Sequence, residues 1–187
     1  MRIVSGKYGK RRFQTPSNFK GRPTTDMAKE GLFNILSHRI ELEGLRVLDL
    51  FAGTGSIGLE FLSRGASHVD AIEKDFRHIA FIKSVVEELG DPNYKVFKKD
   101  VLHFIKENTE VNGIDHPYDL IFADPPYKLQ ELPELPSRIL NSHLLASDGL
   151  LIVEHPRDVS FEQEDGFEEV RSYGSVHFSF FVPSMSK

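Results

Sequence analysis

Cysteine is absent from the 187 residues. That excludes a disulfide framework and any metal site built on thiolates. It fits a reducing compartment, and a cytoplasmic location is the expectation. The opening "MRIVSGKYGK" has no apolar core of a secretory signal. No apolar stretch approaches the roughly 20 residues of a membrane helix. The eight histidines fall in no H-E-x-x-H or similar ligand spacing, so no metal site is expected. No repeat or low-complexity tract interrupts the chain. Acidic residues are missing from the basic start of the chain. Residues 1–22 hold Arg2, Lys7, Lys10, Arg11, Arg12, Lys20 and Arg22 with no Asp or Glu. That segment is +7, and against a net charge of −5 it leaves −12 on the remainder. A basic arm on an acidic body points to an anionic partner engaged locally, with Lys7, Lys10, Arg11 and Arg12 as the candidate contacts.

What is present reads as an α/β chain. "RIVSGKYGKRRFQTP" holds two short β-capable pieces around a glycine turn, a hairpin signal. In "RPTTDMAKEGLFNILSHRI", Thr24, Thr25 or Asp26 can cap a helix whose apolar face is Ala28, Leu32, Ile35 and Leu36. Beyond Gly44 strands alternate with helices: "LRVLDLF", "HVDAIE", "YKVFK", "YDLIFA" and "GLLIVEH" are the strands. The tail "FEEVRSYGSVHFSFFVP" alternates as two antiparallel strands. This order predicts an open, mainly parallel sheet ending in an antiparallel hairpin. The domain expectation is a basic hairpin arm over 1–22 and one α/β domain over 23–187. Nothing demands more than a monomer.

Gly53, Gly55 and Gly58 in "LDLFAGTGSIGLE" have G-x-G-x-x-G spacing between a strand and a helix. The pattern fits dinucleotides and adenosyl compounds alike. Asp49 lies inside the preceding strand, where a buried carboxylate needs a donor or a positive charge. Glu73 ends the second strand, where an acid can accept from two ribose hydroxyls. Asp100 follows the third strand. It can accept from an adenine amino group while Val101 offers a backbone N–H, or it can simply cap the next helix. "KLQELPELPS" can be a lid or an ordinary loop, and Glu154 and His155, near the rim, receive no role.

The fourth strand stops on Asp124-Pro125-Pro126-Tyr127. Two prolines remove two backbone donors and fix two φ angles. A stiff row of carbonyls then stands beside a carboxylate and an aromatic face. The exocyclic amine of a nucleobase is a poor nucleophile because its lone pair is delocalised into the ring. A carboxylate and a fixed carbonyl that accept both N–H groups turn that lone pair outward, while the ring stacks on the base. The chemistry this suits is amine methylation, with S-adenosylmethionine as the methyl donor.

"LDLFAGTGSIGLE", "AIEKD" and "ADPPY" resemble the class I methyltransferases with a [DN]-PP-[YF] motif. More narrowly, "RIVSGKYGKRRF", "RPTTDMAKEGLFNIL" and "GSVHFSFF" resemble the RsmD family, from Arg2 to Val182. The resemblance implies a Rossmann-like seven-stranded methyltransferase fold and N2-methylation of one guanine in 16S ribosomal RNA, within an assembled or assembling small subunit. It also implies that Asp49, Phe51, Gly53 and Gly55 surround the methionine part of the cofactor, that Glu73 holds the ribose, and that Asp100 with Val101 holds the adenine. The segment containing Arg22 and Thr24 would close over that pocket, and Asp124 to Tyr127 would hold the guanine. The hairpin is smaller than a full RNA-binding domain, so its affinity would draw on the ribosomal surface. Three other readings stand beside it: a DNA adenine-N6 methyltransferase, which would need a larger recognition insert; a protein-glutamine methyltransferase, which would favour Asn where Asp124 stands; and a cofactor-binding assembly factor without catalysis.

Overall fold

A computed structural model describes residues 1–17, 19, 24–110 and 115–184. The strands are β1 (Arg46–Leu50), β2 (His68–Glu73), β3 (Tyr94–Lys98), β4 (Tyr118–Ala123), β5 (Leu145–His155), β6 (Phe167–Tyr173) and β7 (Val176–Phe181). They form one sheet in the order β3-β2-β1-β4-β5-β7-β6. The first five are parallel. β7 runs antiparallel to both β5 and β6, which gives the expected closing hairpin. The helices are α1 (Asp26–Arg39), α2 (Ser56–Ser63), α3 (Phe76–Leu89), α4 (Val101–Glu110) and α5 (Leu135–Leu140). Among the described residues no helix is long and apolar enough to cross a membrane.

The period-two alternation of the strands divides the core. Val47, Val69, Ala71, Leu120, Phe122 and Ile152 pack with α1, α2 and α3 on one face. Leu48, Leu50, Ile121, Ala123, Leu151 and Val153 pack with α4 and α5 on the other. Both faces are therefore covered, as a parallel sheet requires. Leu132 and Leu135 are buried in the second cluster, so the proline-rich stretch after β4 is packed where they lie.

The α1 face differs from the expected one. Thr25 caps the helix, its side chain accepting from Ala28 N at 3.2 Å. Ala28, Leu32 and Leu36 are buried, but Ile35 is only half-buried, and Lys29 and Phe33 go inside instead. Lys29 is 1% exposed; its ammonium donates to the carbonyl of Arg2 and to Ser56 Oγ, and lies 3.9 Å from Glu60. Glu60, fully buried, in turn accepts from Val4 N (2.7 Å), Ser5 N (3.0 Å) and Arg64 (2.8 Å).

That polar pin fastens the N-terminal arm. The arm is a narrow hairpin with one bridge pair, Arg2 with Arg12, and flanking backbone bonds such as Ile3 N to Arg11 O. Ile3 and Phe13 sink into the first core cluster. Gly6, at φ 81°, lies so close to α2 that a Cβ there would stand 1.8 Å from the Ser63 carbonyl oxygen.

Candidate active site

The strand order reverses between β1 and β4, and a crevice at the carboxyl ends of the strands beside such a point is where open α/β sheets hold ligands. A cavity of about 530 Å³ lies there. Four acids end on its side of the sheet for one reason. Asp49, Glu73, Asp124 and Glu154 each stand two residues beyond an apolar residue of the first core cluster: Val47, Ala71, Phe122 and Ile152. Alternation keeps them on that face.

The glycine turn forms the floor. Phe51 has φ 59°, a left-handed conformation that is costly for an aromatic residue and that concentrates at ligand sites. Gly53 (φ 55°) borders the cavity, and a Cβ there would meet only the Phe51 carbonyl, at 3.9 Å. Space is therefore left beside the loop. Gly55 lies beneath it, against Tyr94 and Ile82, and is not on the wall. Gly58 serves close packing, since a Cβ there would approach Asp49 Oδ2 to 2.8 Å. Its N–H donates to that same oxygen at 3.0 Å.

Asp49 is 2% exposed, and burial pushes its pKa up to about 7. The Gly58 N–H pulls it down and the charge of Glu73 pushes it up, both by less than burial does. Glu73 is held by backbone. It accepts from Gly53 N, Lys74 N and Asp75 N, each at 2.8 Å. His78 Nδ1 lies 3.5 Å from Glu73, and the ring of Phe19 stacks on His78 at 4.1 Å.

Asp100 is exposed and caps α4, accepting from Leu102 N at 3.1 Å and His103 N at 3.3 Å; Lys74 Nζ is 3.6 Å from it. It still borders the cavity, next to Val101, the first residue of α4, whose N–H has no carbonyl partner within the helix. On the opposite side stand Asp124, Pro125, Pro126 and Tyr127. Asp124 N donates to Leu50 O at 3.3 Å, which ties the start of the motif to β1. Its carboxyl is held well above the usual carboxylate range, by burial first, then by Glu154 and Asp49. Tyr127 is 41% exposed, so its ring is offered to the opening.

Thus Thr24, Asp49, Phe51, Gly53, Glu73, Asp100, Val101 and Asp124 to Tyr127 meet around one cavity. Arg22 lies outside the described residues. The sequence reading missed Phe19, His78 and Glu154, which also line it. Glu154 had a signal, being the acid next to the end of an apolar strand. Phe19 and His78 carried none.

The four basic candidates lie on the arm, away from the cavity, and are all exposed. Lys7 is held by buried Asp91, at 2.7 Å. Lys10, Arg11 and Arg12 have no ion pair among the described residues, and Arg11 rests over the Tyr8 ring at 5.6 Å.

The family described as "Conserved hypothetical protein 95" matches residues 1–182. YlbH of Bacillus subtilis (strain 168) is 36% identical over 171 residues, covering 89% of this chain and 88% of that one. The ribosomal RNA small subunit methyltransferase D of Escherichia coli (strain K12) is 30% identical over 177 residues, 95% of this chain and 82% of its own. Among solved structures, the yhhF protein of Escherichia coli superposes with a TM-score of 0.80 at 28% identity, over 97% of this chain and 96% of its own.

Proposed function

Because the chain belongs to the "Conserved hypothetical protein 95" family, which is the RsmD family, we propose that it transfers a methyl group from S-adenosylmethionine to the exocyclic N2 amine of a guanine in 16S ribosomal RNA, on the small subunit or an assembly intermediate of it. The observation that carries this reading is the convergence of the Asp124–Tyr127 motif and the glycine turn on one cavity. A volume near 530 Å³ suits a nucleoside-sized ligand with room for a base at its mouth.

The residues fit the methyl donor. The opening beside Gly53 admits a close backbone approach, and Asp49 and Glu73 set negative charge near a ligand that is cationic at sulfur. When bound, the sulfonium supplies an electrophilic methyl carbon and departs as a neutral thioether. Glu73 has its three backbone donors on Oε1 and Oε2, and its remaining accepting capacity would meet a ribose hydroxyl. Asp100 and Val101 would take the adenine edge.

The base side is held by Asp124 and the Pro125 carbonyl, each accepting one N–H of the amine, with Tyr127 stacked on the ring. Proline fixes those acceptors before the substrate arrives, so alignment does most of the catalytic work; orientation supplies up to roughly 10 kcal/mol in favourable cases. After transfer the nitrogen is acidic, and Asp124, with its raised proton affinity, can take the proton. The arm then meets RNA phosphates through Lys10, Arg11 and Arg12, with Lys7 only to the extent that it leaves Asp91. The arm at 1–22 and the α/β body from 23 on are the two functional parts in this reading.

Small-subunit particles from cells lacking this protein should accept labelled methyl groups from S-adenosylmethionine. Digestion of their RNA should return the label as N2-methylguanosine. Label appearing only in N6-methyladenosine, or none at all, would replace this reading with one of its alternatives.

A further inference from the structure

The wall of the cavity holds a second carboxyl beside the Asp124 motif. β4 and β5 pair in parallel with Ala123 opposite Val153. One residue further along, Asp124 and Glu154 therefore stand side by side on the same face. Glu154 is 4% exposed and borders the cavity. It accepts from Thr24 Oγ1 at 3.2 Å and from the Tyr127 hydroxyl at 3.4 Å, and both partners are cavity residues themselves. Two neighbouring carboxyls each make the other's charge more costly. A fold that only needed to finish β5 would gain by replacing one of them.

Resting on the methyltransfer reading, we propose that Glu154 is the residue that selects guanine, by accepting the N1–H of the target base while Asp124 and the Pro125 carbonyl hold its N2 amine. The chemistry is specific to guanine. Its N1–H and N2 amine are adjacent donors, so two neighbouring acceptors match them. Adenine and cytosine present a ring nitrogen lone pair next to their amines. Against that lone pair a carboxylate leaves two acceptors facing each other, and such a mismatch rejects a ligand more strongly than a missing contact does. The Tyr127 contact adds a reason for the placement, since the ring that stacks on the base is held in position by the group that reads its edge.

The test uses 2-aminopurine, which keeps the N2 amine but has a bare N1 lone pair. Small subunits are reconstituted from ligated RNA carrying guanine or 2-aminopurine at the methylated position. Transfer of labelled methyl is followed with the wild-type protein and with Glu154→Gln. The wild type should prefer guanine by roughly ten- to a hundredfold, the value of a hydrogen bond to a charged group. Glu154→Gln, whose amide can donate to N1, should lose that preference or invert it while binding S-adenosylmethionine normally. A wild type that accepts both bases equally overturns the proposal. So does Glu154→Gln keeping the wild-type ratio, or binding cofactor normally yet methylating neither base. If the wild type fails on guanine itself, the methyltransfer reading falls instead.

Discussion

Asp49 makes the sharpest residue-scale case because its environment sets both a cost and a use. Its pKa is raised, so ionising it in the empty protein costs stability as pH climbs through about 7; the folded state holds this proton more tightly than the unfolded chain. A cationic sulfonium beside it reverses the preference. Affinity for S-adenosylmethionine should therefore rise by about fivefold from pH 6 to pH 7 and by about twofold more before it levels off near pH 8, with a proton released on binding at the lower pH. Calorimetry in two buffers of different ionisation enthalpy measures both. Asp49→Asn should flatten the profile, and a wild-type profile that is already flat would take Asp49 away from the charged part of the ligand. Glu73 is a different kind of residue, since it shapes the loop as well as facing the ligand. Glu73→Gln confronts three backbone N–H groups with an amide that can accept at only one oxygen. A loss of cofactor affinity of about tenfold or more is expected, together with a lower melting temperature. Unchanged affinity would remove Glu73 from the site.

At the scale of elements, the arm is part of the core through Ile3 and Phe13 and part of a buried ionic pin through Lys29 and Glu60. Glu60→Ala would leave a buried ammonium and the N–H groups of Val4 and Ser5 without their carboxylate. A loss of about 3–5 kcal/mol in urea unfolding is expected, of which a Lys29→Met, Glu60→Leu double variant should recover only the share due to the unpaired ammonium. A loss under about 1 kcal/mol would mean that water replaces the carboxylate. Strands were the legible part of this chain. "HVDAIE" and "YDLIFA" coincide with β2 and β4, because buried parallel strands read as short apolar runs bounded by polar turns. β5 begins four residues before the apolar run, at Leu145, because pairing continues through a register shift that no residue type announces. The apolar face of α1 was misjudged at Lys29 for a related reason. A lysine looks exposed until Glu60, a partner on another helix, is placed beside it. The site followed the same division. The glycine turn and Asp124–Tyr127 are contiguous and carry their own spacing, whereas the pairing of Glu154 with Asp124 depends on strand register.

Over the whole molecule the separation of charge is the fact that orders the substrate encounter. The body from residue 23 on carries −12 and should repel RNA, so under the proposed function the attraction is expected from the arm. Among its described cations, Arg2 is engaged with Asp26 and Glu30, and Lys7 with Asp91. Replacing Lys10, Arg11 and Arg12 by Ala should weaken binding to small-subunit particles and make its logarithmic salt slope shallower by about 2–3, while leaving cofactor affinity unchanged. A slope equal to the wild type's would place the RNA surface elsewhere.

In the proposed reaction the Asp124 motif acts on the amine of the base and not on the methyl donor. The most direct measurement is a paired one on Asp124→Ala: turnover on small-subunit particles, and affinity for S-adenosylmethionine by calorimetry. The predicted result is a fall in turnover of about a hundredfold or more, as for other prealigned acceptors and donors, with cofactor affinity near that of the wild type. Near-normal turnover, or a loss fully explained by weaker cofactor binding, would contradict it.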